Sequence, residues 1–338
     1  MYRREAAMEL WWVGEAGPEP VSPEAAHEFA ARDDGGLWVH AEHTDEAGMM
    51  LLSELFTVRP ADLQACHIRS PVPALHAYPD HFFTAMNGLA RGADGRLHFV
   101  PVKLFSRPSV VFTVLGPCHA ALSPANAVHD LSAVRERLQT LELRPRSAYE
   151  LGAAIRLQAL HSQEELVAGA AGRIADLELK IMQRDPVRAE ALLGDLFALR
   201  HDLQTIGTNA AQTYELYTHL TDQVEGGAGV PRLDPKVLTE LRQTYRHLKN
   251  TTDLEREYLQ EVLDLFETRV STELNRFVRK ITAFGTIAIS WTVIAGVYGM
   301  NFAHMPELDW QYGYPAALIL MAVVGIVLGV YFHRRGWL

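Results

Sequence analysis

Cysteine is nearly absent: Cys66 and Cys118 are the only two in 338 residues, too few for a disulfide framework and in keeping with a reducing compartment. Each is followed by a histidine, His67 and His119. With no CxxC or HxxxH spacing around them, these pairs read as buried or loop residues rather than as a zinc site. The opening MYRREAAMELWWVGEAGPEP has no apolar core of the kind a signal peptide needs, so the N-terminus is expected to remain in the cytoplasm. A surplus of positive charge is also missing. The net charge of −10 argues against a nucleic-acid partner and suits cations. No GxSxG, HExxH, Walker loop or GxGxxG occurs, which speaks against an enzyme and leaves a membrane-anchored scaffold as the alternative of a different class.

Charge of either sign disappears from two stretches near the C-terminus, Ile281 to Ala303 and Tyr312 to Phe332. Each meets the length of about 20 residues that crosses a bilayer, so two membrane helices are the expected reading. Arg276, Arg279 and Lys280 precede the first span and Arg334 and Arg335 follow the second, whereas the turn between them holds Glu307 and Asp309 and no Lys or Arg. By the positive-inside rule both termini face the cytoplasm and the acidic turn faces out. Trp310, Tyr312 and Tyr314 on one side, with Tyr331, Phe332 and Trp337 on the other, fit interfacial aromatic belts.

Proline is absent between Pro235 and Pro306, so one helix of roughly 60 residues, about 90 Å, is predicted to run from a cytoplasmic stalk into the first span. Leu241, Tyr245, Leu248, Thr252, Leu259, Val262, Phe266, Val270, Leu274 and Phe277 recur along it at three-and-four spacing, a seam for helix packing. Before the stalk, residues 1–125 alternate β-like runs (Leu10–Val13, Leu37–Ala41, Leu97–Phe105, Ser109–Gly116) with Pro/Gly breaks, which predicts a cytoplasmic α/β domain. Residues 126–225 read as a helical hairpin with Pro186 as a break, and EGGAGVPRLDP ends it. The fold class expected is therefore α+β: an N-terminal α/β domain, a stalk and first span over 235–301, an external loop over 302–311, a second span over 312–333 and a basic tail over 334–338.

On a heptad, Asn275, Thr282, Ile289 and Gly296 form one column of the first span, with Val278, Gly285, Thr292 and Gly299 beside it. That face is small and partly polar. The other side carries Phe277, Phe284, Ala288, Trp291, Ala295 and Tyr298. Such a stripe either packs closely against another helix or walls a hydrated path. Two spans cannot enclose a pore, and Asn301 at membrane depth needs water or a symmetric partner, so an oligomer with a ring of Asn301 carbonyls answers both needs. In the second span, Gly325 and Gly329 make a GxxxG pattern suited to packing.

YGMNF (Tyr298 to Phe302), MPEL (Met305 to Leu308), YGYP and the ending YFHRRGWL together resemble the CorA family of magnesium transporters. The resemblance implies a homopentameric funnel in which the first span lines the pore. Gly299, Met300 and Asn301 would be the selectivity filter, and Asn275, Val278, Ile281, Thr282, Gly285, Ile289, Thr292 and Gly296 would line the path. Val278, Ile281 and Ile289 would form its hydrophobic gate. Glu307 and Asp309 would gather cations at the mouth. The implied activity is Mg2+ uptake across the cell membrane down its gradient, with Co2+ and Ni2+ as candidate passengers. Zinc transport, as in another branch of the family, is the alternative, and the MPEL loop favours magnesium. No cofactor is implied beyond Mg2+ as cargo and regulatory ligand. At the regulatory site the family's acidic pair is replaced by Gln64 and Ala65 after Leu63, leaving Glu240 as a candidate ligand and predicting weakened regulation.

Overall fold

The computed structural model describes residues 8–70, 72–183, 189–225, 235–300 and 310–338. The strands are β1 (Met8–Gly14), β2 (Gly17–Pro20), β3 (Gly36–Glu42), β4 (Ala74–Ala77), β5 (Phe82–Arg91), β6 (Leu97–Arg107) and β7 (Val110–Leu115). The helices are α1 (Ala26–Ala30), α2 (Glu46–Leu55), α3 (Pro60–Cys66), α4 (Pro124–Ala127), α5 (His129–Gln139), α6 (Ala148–Gln183), α7 (Ala189–Glu225), α8 (Pro235–Tyr298) and α9 (Gly313–Arg334). They fall into two compact units: Met1–Lys180 with Glu190–Gln260, and Ile181–Ala189 with Glu261–Leu338.

In the first unit the seven strands form one sheet ordered β2-β1-β3-β7-β6-β5-β4. It is antiparallel except for β3 against β7, where Leu37 pairs with Val110 and Glu42 with Leu115. Alternation along each strand splits the apolar side chains between two faces. Leu37, Val39, Phe105, Phe112 and Val114 join Leu51, Leu52, Leu55 and Cys66 of α2 and α3 in one core. Trp38, Val102, Leu104 and Val111 join Val134 and Leu138 of α5 and Leu151 and Ile155 of α6 in the other. Because helices cover both faces, β7 reads VVFTVL without polar alternation and is buried throughout.

Phe82, Leu89 and Leu97 of the sheet continue into a third core with Ile206, Ala210 and Tyr217 of α7 and Leu241, Tyr245 and Leu248 of α8. A buried polar cluster ties these layers together. Asn209 Nδ2 donates to Gln163 Oε1 at 3.1 Å and to the Asn87 carbonyl at 3.2 Å. An added Cβ on Gly207 would lie 3.2 Å from Cγ2 of Thr252, so α7 and α8 approach closely there. The predicted seam is buried from Leu241 to Val262; past it Phe266 is half-buried, and Val270, Leu274 and Phe277 are exposed.

Candidate functional site

In the second unit, the closing stretch of α8 and the whole of α9 are, among the described residues, the two helices long and apolar enough to cross a membrane. The 22 residues of α9 span about 33 Å, the thickness of a bilayer's hydrocarbon core. Trp291 Nε1 donates to the Met321 carbonyl at 2.8 Å. Gly325 makes room for that indole, since a Cβ there would lie 2.9 Å from Cζ2 of Trp291. Gly329 has nothing within 4 Å of an added Cβ. The GxxxG pair is thus split, with Gly325 packing against α8 and Gly329 facing open space.

Ala283, fully buried, and Trp291 mark the face of α8 that meets α9. At about 100° per residue, the stripe from Asn275 to Gly296 lies roughly on the opposite side. It is uncovered: Val278 is 51% exposed, Ile281 55% and Ile289 65%. Asn275, Thr282, Thr292 and Gly296 are exposed as well, and Gly285 is half-buried. A Cβ added at Gly285 or Gly296 would meet nothing. On the bulky side the structure separates residues that share a sequence pattern. Trp291 engages α9, whereas Phe277 and Phe284 are exposed.

The hydroxyls of the stripe need no outside acceptor. Thr282 Oγ1 donates to the Val278 carbonyl at 2.8 Å and Thr292 Oγ1 to the Ala288 carbonyl at 2.9 Å. Their protons are satisfied inside the helix, and the oxygens keep lone pairs that water can meet. Gly299 N–H donates to the Ala295 carbonyl at 2.9 Å and Met300 N–H to the Val297 carbonyl at 3.3 Å, a last turn beyond Tyr298. Asn301, Glu307 and Asp309 lie outside the described residues. Aromatic rings gather at both ends of α9: Trp310 against Tyr312 at 6.1 Å, and Phe332 stacked on Trp337 at 5.4 Å, with the Arg335 guanidinium 5.2 Å over Tyr331.

On α3, Gln64 is exposed while Ala65 packs against the core. The acid of that helix, Asp62, is buried, accepting a short hydrogen bond from the Tyr78 hydroxyl and pairing with His76 Nδ1 at 3.2 Å. Burial and that bond push the Tyr78 phenol up to about 12. Neither Gln64 nor Ala65 offers a carboxylate, and Glu240 stands exposed on α8. Cys66 is buried and its thiol is pushed up to about 12 by desolvation, which leaves it a poor metal ligand. Among the described residues the four side chains Cys66, His67, Cys118 and His119 do not converge; His119 instead meets Asp94 and His98.

The sequence pattern of the family described as CorA-like Mg2+ transporter protein matches residues 33–334. The chain belongs to this family. It is a family of transporters, not of enzymes. The Cobalt/magnesium transport protein CorA of Thermotoga maritima is 35% identical over 111 residues, 32% of this chain and 32% of the relative. YfjQ of Bacillus subtilis is 26% identical over 312 residues, 90% of this chain and 91% of the relative. The matched stretch thus spans only 32% of the Thermotoga protein's length. Among solved structures, the complete CorA magnesium transporter from Methanocaldococcus jannaschii superposes with a TM-score of 0.78 at 15% identity, covering 99% of this chain and 100% of the other. The ZntB cytoplasmic domain from Vibrio parahaemolyticus superposes with 0.56 at 12% identity, covering 79% of this chain and 100% of the other. At such identities these likenesses speak for the fold. A CorA-family fold accounts for the long uninterrupted α8 and for a second span packed on only one of its faces.

Proposed function

We propose that five copies of this chain form a cell-membrane channel that admits Mg2+, with Co2+ and Ni2+ as further cargo, down its electrochemical gradient. One observation carries the reading: the small, hydroxyl-bearing stripe of α8 lies uncovered on the side away from α9. The Asn275 amide and the lone pairs that the threonine oxygens keep are met by water in a path enclosed by symmetric copies. The first spans then surround the axis and the second spans surround them.

At the outer end Gly299, Met300 and Asn301 form the filter. Mg2+ demands near-octahedral oxygen and dehydrates reluctantly, so a ring of neutral Asn301 carbonyls recognises the ion with its water shell in place. Glu307 and Asp309 raise the local cation concentration without touching the ion. Below, Val278, Ile281 and Ile289 close the path by excluding water. With both termini in the cytoplasm and the inside negative, the potential supplies about 4.6 kcal/mol per 100 mV to a divalent ion. The MPEL loop, Met305 to Leu308, favours Mg2+ over Zn2+ as cargo.

Uptake by the purified chain in liposomes, Mg2+ against Zn2+, tests this directly. Asn301→Ala is expected to stop Mg2+ uptake while the oligomer still assembles, because the change removes the carbonyl ring and little packing. Normal Mg2+ uptake by that variant overturns the filter assignment, and preferred Zn2+ uptake by the wild type moves the chain to the zinc branch.

A further inference from the structure

We infer that Asp94, His98 and His119, brought together at the tip of the β5–β6 hairpin, form a site for a transition-metal dication such as Zn2+, Co2+ or Ni2+, separate from the ion path. The three side chains each offer a ligand atom, and these atoms lie within 4.8 Å of one another. His98 Nε2 is 3.0 Å from Oδ1 and 2.9 Å from Oδ2 of Asp94. The His98 and His119 rings stack at 4.0 Å with 7° between their planes. Two donors bound at about 2.1 Å to one tetrahedral ion sit about 3.4 Å apart. The Asp94–His98 pair is already near that spacing, and side-chain rotation brings His119 in.

The backbone holds the cluster in place before any ion arrives. Ala93 N–H donates to the Ala121 carbonyl at 2.8 Å, pinning the hairpin tip to the segment after β7 that carries His119. Gly92 is required at the centre: a Cβ there would lie 2.7 Å from Asp94 Oδ1, 2.8 Å from His98 Cδ2 and 3.0 Å from Ala121 Cβ. Arg96 N–H donates to Asp94 Oδ1 at 3.1 Å and fixes the carboxylate. The neighbouring positive charge of Arg91 is compensated by Asp202 at 3.0 Å.

Loading costs two contacts, the first being the hydrogen bond that His98 Nε2–H donates to the Asp94 carboxylate, because a ligating nitrogen carries no proton. Nδ1 of His119 accepts from Ala121 N–H at 3.2 Å, and a neutral imidazole that ligates through either nitrogen must give that bond up. Two imidazoles and one carboxylate select the ion class. Imidazole nitrogen suits Zn2+, Ni2+ and Co2+, whereas Mg2+ seeks oxygen in an octahedron. Asp94 is exposed, so water can complete the coordination and the ion can enter from solvent.

The test is equilibrium dialysis of the full-length protein in detergent against Zn2+, with a large excess of Mg2+ to fill oxygen-only sites, and Co2+ as an optical probe. The wild type is expected to hold one Zn2+ per chain that His98→Gln and His119→Gln lose. Asp94→Asn keeps the shape and hydrogen bonds of the turn, and it should weaken Zn2+ at least tenfold with no fall in the metal-free melting midpoint. Nitrogen-ligated Co2+ bands should vanish in the histidine variants. Mg2+ uptake in liposomes should be the same for wild type and Asp94→Asn, which keeps this site distinct from the path. Equal Zn2+ binding and identical Co2+ spectra in the wild type and all three variants would overturn the proposal.

Discussion

Gly325 and Gly329 offer the same substitution in one helix with opposite expected results. Replacing either by alanine gains up to about 1 kcal/mol of helix propensity. At Gly329 the new methyl meets nothing, so the variant should be neutral or stabilised by up to that amount. At Gly325 it would sit 2.9 Å from Cζ2 and 3.2 Å from Nε1 of Trp291. Relief requires the indole to shift, at about 1–3 kcal/mol for overpacking. A shifted indole also loses its 2.8 Å bond to the Met321 carbonyl, about 1 kcal/mol more. The net cost of Gly325→Ala is therefore about 1–3 kcal/mol. Reversible SDS unfolding in mixed micelles reads this difference. A Trp291→Phe background removes the clashing atoms along with the hydrogen bond, so Gly325→Ala should cost about 1–2 kcal/mol less there. Equal costs in both backgrounds would show that Trp291 is not what Gly325 accommodates. A Gly329→Ala variant as damaged as Gly325→Ala would place a neighbouring helix against Gly329.

Ile289, 65% exposed on the stripe, is assigned to the gate; Ile289→Ser should favour the wet state and raise resting Mg2+ flux in liposomes, and unchanged or lower flux refutes a hydrophobic gate. With Gln64 and Ala65 unable to supply charge, Glu240→Ala should change inhibition by internal Mg2+ little; abolition of a strong inhibition in flux measurements would mean that Glu240 belongs to a working sensor. Burial pushes the His40 imidazole from 6.5 down to about 4, so the unfolded chain takes up its proton first as pH falls. Its stabilising contribution is complete above about 6.5 and lost on the way to about 4, by at most about 3 kcal/mol and less because the residue keeps some solvent contact. His40→Gln should flatten the melting temperature against pH across that window, and identical profiles would remove His40 as the cause.

Legibility differed from element to element. Strands β3, β6 and β7 stood out as apolar β-branched runs, whereas β5, FFTAMNGLAR, did not, because Thr84, Asn87 and Gly88 break its pattern. Those positions are tolerated by partners from far along the chain: Arg156 Nη2 donates to Thr84 Oγ1 at 3.1 Å, and Gln163 and Asn209 donate to the Asn87 carbonyl. The short strands β2 and β4 exist through pairing with β1 and β5, which no local periodicity announces.

What the sequence determined by itself is whatever depends on neighbours along the chain. An unbroken helix from Pro235 to Tyr298 follows from the absence of proline. Two bilayer-length helices follow from the absence of charge. The small stripe follows from heptad spacing and the family from a short contiguous motif. Tertiary structure alone decided which face each helix buries. Only packing could show that Trp291, not Phe284, meets α9. Only packing could set Gly325 apart from Gly329 within one repeat. The same holds for His119, whose nearest striking feature in sequence is Cys118 and whose partners in space are Asp94 and His98. The physical reason is that spacing along a chain encodes direction around one helix or strand, while contact between distant segments is set by how whole elements pack.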